Sequence, residues 1–234
     1  MTRRVVTVDR SIGLADVRPD TTARLDALAR IVQDVADADA ATAPIEGMGV
    51  WIMRRIDMQI AHVPRLRAEV RASTWCSGVG PRWAERRSEL HVGELLCATV
   101  TALWVYTDPA RGTSIPLPDG FDAVWGATAD RRRVSARLHH APPPGEAHGS
   151  TWVVRATDLD VVGHVNNAAY WSAVEEELAR RGGPRVVDAE MEFRAGLDHG
   201  EPVDMLVADT PDGFAVWLCV DGDVRASALV GCAP

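Results

Sequence analysis

The sequence predicts an α+β fold built from two similar modules in tandem. In each half of the 234-residue chain, one amphipathic helix is followed by consecutive apolar stretches that are typical of strands. A helix followed by a run of strands favours an antiparallel sheet folded over that helix. Sequence identity between the halves is weak, so the predicted repeat rests on the shared order of elements.

The first half contains one predicted helix and five predicted strands. Apolar residues recur at helical spacing from Leu25 to Ala36, and the helix is expected to end before Pro44. Turn sequences rich in Gly and Pro separate the later stretches. The predicted strands cover residues 4–8, 50–60, 66–75, 83–92 and 95–106.

Residues 108–150 differ in composition from both halves, because they are rich in proline and contain few long apolar stretches. We expect them to connect the two modules, with a short helix at 121–129 and a short strand at 134–138. Three consecutive arginines, Arg131 to Arg133, lie in this connection. They form either a solvated turn, which we favour, or a contact for an anionic carrier such as a phosphate or an acidic protein.

The second half repeats the order of the first. Asn166 or Asn167 is expected to cap its helix, and Gly182 and Gly183 are expected to end it. Tight-turn sequences separate the strands that follow. The predicted strands cover residues 151–156, 187–194, 202–208, 214–220 and 224–230.

Composition excludes several functional classes. The net charge of -8 argues against nucleic-acid binding, because nucleic-acid-binding proteins usually carry a basic excess. No stretch approaches the roughly 18 apolar residues of a membrane span, and the first residues do not resemble a secretory signal, so we expect a cytoplasmic protein. The four cysteines lie far apart and form no CxxC pair, so we expect free thiols rather than a zinc site.

The residues before the second helix are the candidate site. Asp158, Asp160, His164, Asn166 and Asn167 fall within ten positions, at or just before the predicted helix start. Backbone N–H groups are unpaired at a helix start, and the helix dipole there favours negative charge. A carboxylate, an imidazole and free amides are the groups needed for attack on a carbonyl.

Each of these groups has an expected role and a plainer alternative. Asp160 can orient or deprotonate a water, or attack directly, and His164 can share the proton transfer or hold the substrate carbonyl. The amides of Gly163, Val165 and the first helical turn can polarise that carbonyl as an oxyanion site. The alternative is that the aspartates and the two asparagines only shape the turn and cap the helix.

A second acidic group lies on a later strand. Glu190, Glu192 and Arg194 alternate along one strand face. We favour a solvated face, and the alternative is that Glu192 reaches the site as an assisting acid.

The sequence also resembles a known family. Residues 157–160 (TDLD), 163–167 (GHVNN) and 170–171 (YW) resemble the active-site stretch of acyl-acyl carrier protein thioesterases, the double hotdog enzymes of plants and bacteria. Residues 192–194 (EFR) occupy the place of an acidic-aromatic-Arg triplet in that family. The N-terminal positions that follow the family's order are Trp51, Arg55, Ile60, Pro64, Val70, Thr74, Trp75, Arg86 and Arg87.

This resemblance implies a tandem hotdog fold, in which each half is a long helix wrapped by an antiparallel sheet. It implies that residues 1–110 form the acyl-pocket side, 111–150 a Pro-rich linker, and 151–234 the catalytic side. The implied reaction is hydrolysis of a fatty acyl thioester carried by acyl carrier protein or coenzyme A, with no metal and no nucleotide cofactor. A homodimer is left open, because two modules already pair within one chain.

The chain departs from the family at polar positions. Family members use an Asp, an Asn two residues later and a His two further on; Asp160 and His164 fit, but Val162 occupies the middle place. A family Glu, often followed by Cys, is replaced by Gly196 and Leu197. We therefore expect a thioesterase in which Asp160 activates water and His164 assists. The alternatives are a non-catalytic acyl-thioester-binding protein and a hotdog hydratase or dehydratase.

Overall fold

A computed structural model describes residues 4–45, 47, 49–129 and 132–233 of the chain. These residues form two compact units. The first comprises the chain up to Ala23 together with Arg30–Leu138, and the second comprises Arg24–Ala29 together with the chain from His139 onward. The change of unit after Leu138 falls inside the predicted linker 111–150. The predicted domain limits at 110 and 150 stay a prediction.

The first unit contains an antiparallel sheet and two helices. Its elements are β1 (Val6–Ser11), α1 (Leu25–Ala41, whose first five residues belong to the second unit), β2 (Val50–Ile60), β3 (Glu69–Val79), β4 (Trp83–Val92), β5 (Leu95–Asp108), β6 (Thr113–Ser114) and α2 (Phe121–Ala129). The strand order is β1-β3-β4-β5-β2, and β6 pairs with β5. Alternate residues of β3 are buried, from Val70 to Cys76, because successive side chains of a strand point to opposite faces.

A buried carboxylate joins three elements of this unit. Asp39 of α1 is 1% exposed, and its two oxygens lie 2.5 Å from Nε of Arg4 and 2.6 Å from Nη2 of Arg86 in β4. Trp125 of α2 donates its indole N–H to the same carboxylate at 2.8 Å. Two guanidinium groups and an indole therefore compensate a carboxylate that is otherwise removed from water.

The second unit repeats the arrangement of helix and antiparallel sheet. Its elements are β7 (His148–Trp152), α3 (Trp171–Arg180), β8 (Val186–Phe193), β9 (Val203–Thr210), β10 (Gly213–Val220) and β11 (Asp223–Cys232). The strand order is β8-β11-β10-β9-β7. α3 buries Trp171, Val174 and Leu178, which follow helical spacing. The predicted α+β class is confirmed in both halves.

Several predicted elements have other limits in the structure, and one is absent. Residues 134–138 form no strand, because Val134 hydrogen-bonds β3 only through its amide to the carbonyl of Val79 (3.1 Å). The strand predicted at 151–156 ends at Trp152, and Ala156–Asp158 forms a short 3₁₀ turn instead. Apolar composition therefore indicated a strand near residue 151 but not the residue at which that strand ends.

The arginine cluster of the connection is partly engaged within the chain. Arg131 lies outside the described residues. Arg132 is paired with Glu85 and donates to the carbonyl of Ser77 at 3.3 Å, although its side chain is 56% exposed.

No helix within the described ranges is long and apolar enough to cross a membrane.

Candidate active site

The candidate site is a small turn between β7 and α3. A backbone bridge joins Leu159 to Val165, and the amide of Asp160 donates to the carbonyl of His164 at 2.8 Å. Gly163 lies at the tip with φ +85°, a conformation that favours glycine because a Cβ is strained there. The turn therefore holds Asp160 and His164 opposite each other on the two arms of one short hairpin.

The Asp160 carboxylate is half-buried and partly engaged. Its Oδ1 accepts the amide N–H of Val162 at 2.9 Å, which is an Asx turn. Among the described residues no hydrogen bond reaches its Oδ2. One oxygen therefore fixes the side chain, and the other can accept a proton from water. The Val162 side chain, at the family's Asn position, is 68% exposed.

His164 pairs with a carboxylate that the sequence did not single out. Its Nδ1 lies 2.5 Å from Oδ1 of Asp198, and both side chains are more than half exposed. The two residues also form a backbone bridge. Because a carboxylate accepts hydrogen bonds, Nδ1 carries the hydrogen. Nε2 then carries the lone pair of the ring and is the nitrogen that can accept a proton.

Asp198 lies close to a position at which the family carries an acid. A Cβ built on Gly196 would lie 3.5 Å from Nδ1 of His164, so position 196 faces the imidazole. Gly196 offers no carboxylate, and Asp198, two residues further on, supplies one to the same ring. The only signal for Asp198 in the sequence was that an acidic residue follows two positions after the place of the missing family Glu.

Two of the predicted oxyanion amides are already used within the turn. The amide of Gly163 donates to the carbonyl of Asp160 at 3.1 Å, and the amide of Val165 donates to that of Leu197 at 2.9 Å. An oxyanion role for either amide would require the turn to open. The Asn167 side chain is half-buried and makes no hydrogen bond with the part of the chain that the structure describes, so its amide can meet a substrate carbonyl.

The predicted helix start was wrong. α3 begins at Trp171, four residues after Asn167, and its cap position is Tyr170. The reason is local: Asn166 Oδ1 accepts the amide of Ala168 at 2.9 Å, and turns fill the interval to Trp171. The amide of Trp171 donates to the carbonyl of Ala168 at 3.2 Å. The Asn166 side chain therefore shapes a turn ahead of the helix rather than capping its first residues.

Tyr170 ties the helix start to the segment that carries Asp198. Its hydroxyl accepts the amide of Leu197 at 3.0 Å, and its ring packs edge-on against Phe193 at 5.2 Å. Burial raises the pKa of the Tyr170 phenol, so the group stays neutral. We infer a supporting role in which Tyr170 holds the chain around the His164–Asp198 pair.

Glu192 does not lie on a solvated face, so that prediction was wrong. Its side chain is 0% exposed, because residues 139 and 140 cover it. The carboxylate accepts the amides of His139 (2.5 Å) and His140 (3.2 Å) and pairs with Arg194. Within the described ranges no hydrogen bond joins Glu192 to Asp160 or His164, so an assisting role has no contact to support it.

The cysteines are free thiols, and Cys76, Cys97 and Cys219 are buried. Burial raises the pKa of the Cys76 thiol to about 11, which keeps it protonated at neutral pH. Thiolate chemistry at Cys76 is therefore disfavoured.

Comparison with protein families gives two matches, one in each half of the chain. The model of the acyl-ACP thioesterase N-terminal domain matches residues 7–122, and that of the acyl-ACP thioesterase C-terminal domain matches residues 143–213. An uncharacterized protein of Mycobacterium tuberculosis is 26% identical over 230 residues, covering 97% of this chain and 91% of that protein.

Solved structures share the complete fold. An acyl-ACP thioesterase from Bacteroides thetaiotaomicron superposes with a TM-score of 0.85 at 14% identity, covering 98% of each chain. The 12:0-ACP thioesterase from Umbellularia californica gives 0.83 at 18% identity, covering 98% of this chain and 97% of that one. These likenesses confirm the predicted tandem hotdog fold.

Proposed function

Because this chain belongs to the acyl-ACP thioesterase family, we propose that it hydrolyses a fatty acyl thioester to a free fatty acid and a thiol. The observation that carries the proposal is the site in the C-terminal half. There one turn carries both Asp160, which presents one carboxylate oxygen, and His164, whose imidazole pairs with Asp198. A general base and an oriented imidazole are the groups that this hydrolysis needs.

In the proposed mechanism, Asp160 Oδ2 accepts a proton from a water molecule while the oxygen of that water attacks the acyl carbonyl carbon. The side-chain amide of Asn167 donates to the oxyanion that develops. Asp160 passes the proton to His164 Nε2, and the C–S bond breaks as Nε2 delivers that proton to the departing sulfur while Asp198 fixes the ring through Nδ1. Water is consumed, and one acid and one thiol leave.

Acyl carrier protein is the carrier that we propose, with coenzyme A as the alternative. The support is the family itself and the two solved relatives, whose names state acyl-ACP thioesterase activity. Reaction with acyl carrier protein would place the enzyme in fatty acid metabolism of the cytoplasm, as the sequence led us to expect.

Single turnover in water labelled with heavy oxygen tests the reaction type. Purified protein is mixed in excess with an acyl carrier protein thioester, and both products and protein are examined by mass spectrometry. Hydrolysis through Asp160 as a base predicts the label in the fatty acid and unlabelled protein. A labelled Asp160 peptide would indicate direct attack by the carboxylate instead. With an enoyl chain on the carrier, an intact thioester with water added across the double bond would indicate a hydratase.

A non-catalytic binder is the second candidate, favoured by the absence of two polar family groups at Val162 and Gly196. Under this alternative the labelled experiment returns the acyl thioester unchanged although it binds. The Asp198 carboxylate beside His164 is the observation that weighs against it.

We predict that Asp198→Ala lowers kcat by about 10- to 100-fold with little change in KM, because the imidazole loses the partner that orients it. Steady-state thiol release at several substrate concentrations measures both constants. The matched control is His199→Ala, which removes an exposed neighbour on the same turn.

Asp198→Glu separates positioning from structure. A glutamate can reach the same nitrogen, so it should restore much of the rate that alanine loses. An unaltered kcat in Asp198→Ala, or equal losses in Asp198→Ala and His199→Ala, would remove Asp198 from the mechanism.

A further inference from the structure

Two histidines and two glutamates converge in the second unit, apart from the residues of the proposed mechanism. His139 and His140 follow the first unit in the chain, and Glu190 and Glu192 lie on one face of β8. One ligand atom of each side chain lies within 4.8 Å of all the others. Imidazole and carboxylate groups are the ligands that divalent first-row transition metals prefer.

The histidines point the same nitrogen at the same oxygen. Nε2 of His139 lies 2.8 Å from Oε1 of Glu190, and Nε2 of His140 lies 2.9 Å from that oxygen. Two imidazole nitrogens can share one carboxylate oxygen in two ways, either by each donating an N–H or by binding one cation together with that oxygen. A metal ion satisfies all three lone pairs at once.

Both outer nitrogens already have partners of the kind that orient metal-bound histidines. Nδ1 of His140 lies 2.9 Å from Oγ of Ser227, and Nδ1 of His139 lies 3.3 Å from Oε1 of Glu192. A carboxylate at Nδ1 accepts the ring hydrogen there, and a hydroxyl can accept it too, which leaves the lone pair of Nε2 to bind a metal. The arrangement around His139 thus has the order carboxylate, histidine, shared centre.

The spacing suits an ion with near-octahedral angles. Two ligand atoms 2.8–2.9 Å apart, each about 2.1 Å from a metal, subtend about 90° at that metal. An outward shift of about half an ångström would give the wider angles of a tetrahedral zinc site. Neither change requires the backbone to move far.

Burial makes the cluster rigid on one side and open on the other. The side chains of His140 and Glu192 are 1% and 0% exposed, whereas that of His139 is 55% exposed. An ion can therefore enter past His139 and meet ligands that are held in place. Arg194 neutralises one of the two carboxylates, which leaves one negative charge to favour a divalent cation.

We propose that His139, His140 and Glu190 bind one divalent transition metal ion, with Glu192 orienting His139 from behind. The ion joins the chain at residues 139–140 to the middle of β8 and so stabilises the second unit. The site is structural and takes no part in thioester hydrolysis. This proposal departs from the expectation that no metal is bound, which considered cysteine motifs and the family's chemistry alone.

Metal titration of the full chain tests the site. The protein is prepared without a polyhistidine tag, treated with EDTA, desalted in a non-chelating reductant and titrated with ZnCl₂ in a calorimeter. Addition of Co²⁺ to the metal-free protein gives the absorption spectrum of the bound ion. This spectrum distinguishes nitrogen and oxygen ligands from cysteine thiolates. Wild type should bind one equivalent with Kd near or below about 10⁻⁶ M.

Variants assign the binding to the cluster. His139→Asn and Glu190→Gln should each weaken binding by about 100-fold or more, whereas His62→Asn, at an exposed histidine of the first unit, should leave it unchanged. His139 is exposed, so its replacement is expected to keep the fold, which circular dichroism verifies. No binding by wild type, a Co²⁺–thiolate spectrum, or binding as tight as wild type in either cluster variant would overturn the proposal.

Discussion

Asp160→Asn is expected to lower kcat/KM for thioester hydrolysis by about 10²- to 10⁴-fold and to leave the fold intact. Asparagine keeps an oxygen that can accept the amide of Val162, now 2.9 Å from Oδ1, so the turn should persist. It cannot accept a proton from water, because its amide is neutral and very weakly basic. Thiol release at saturating and limiting substrate, with circular dichroism of the same samples, measures both effects.

Asp158→Asn is the matched control for that experiment. Asp158 lies two residues away and accepts the amide of Arg155 at 2.8 Å, a bond that asparagine can retain. Its replacement should change the rate by less than about threefold, because its role in the turn is structural. A rate in Asp160→Asn as high as in Asp158→Asn would remove Asp160 from the mechanism.

The largest effect on stability is expected for Asp39→Ala, which should lower the free energy of unfolding by about 3–5 kcal/mol. The change leaves Arg86, 13% exposed, without its carboxylate at 2.6 Å, and it leaves the Trp125 indole N–H without its acceptor. The expected loss is large because three elements of the first unit depend on this one carboxylate. Urea denaturation followed by tryptophan fluorescence measures the difference in the free energy of unfolding.

Asp34→Ala on the same helix is the control for Asp39→Ala. Asp34 is about half exposed, and its ion pair with Arg10 spans 3.5 Å, so its removal should change stability by less than about 1 kcal/mol. Similar losses in the two variants would show that the buried network contributes no more than a surface pair.

Local pattern was sufficient to predict much of the fold. Strands 50–60 and 83–92 and the helix at 121–129 match the structure, because alternation and apolar stretches between turn residues are local properties. The start of α3 was missed, since the Asn166 side chain forms a turn that competes with helix initiation. Element order, rather than sequence identity, correctly indicated two modules.

The site was predicted only as far as one contiguous stretch could reveal it. Asp160 and His164 lie four positions apart, so their proximity could be expected from the chain itself. Asp198 is 34 residues from His164, and Glu192 is 53 residues from His139, so only the folded sheet brings these groups together. The burial of Glu192 has the same origin, because a distant segment covers its strand face.

The most direct measurement is thiol release by the wild-type protein from medium- and long-chain acyl groups on acyl carrier protein and on coenzyme A. Binding of each substrate is measured in parallel. We predict that thiol and free fatty acid appear in equal amounts, with faster release from acyl carrier protein. Substrates that bind and are recovered intact from both carriers would contradict the proposed hydrolysis and would identify the protein as an acyl-thioester binder.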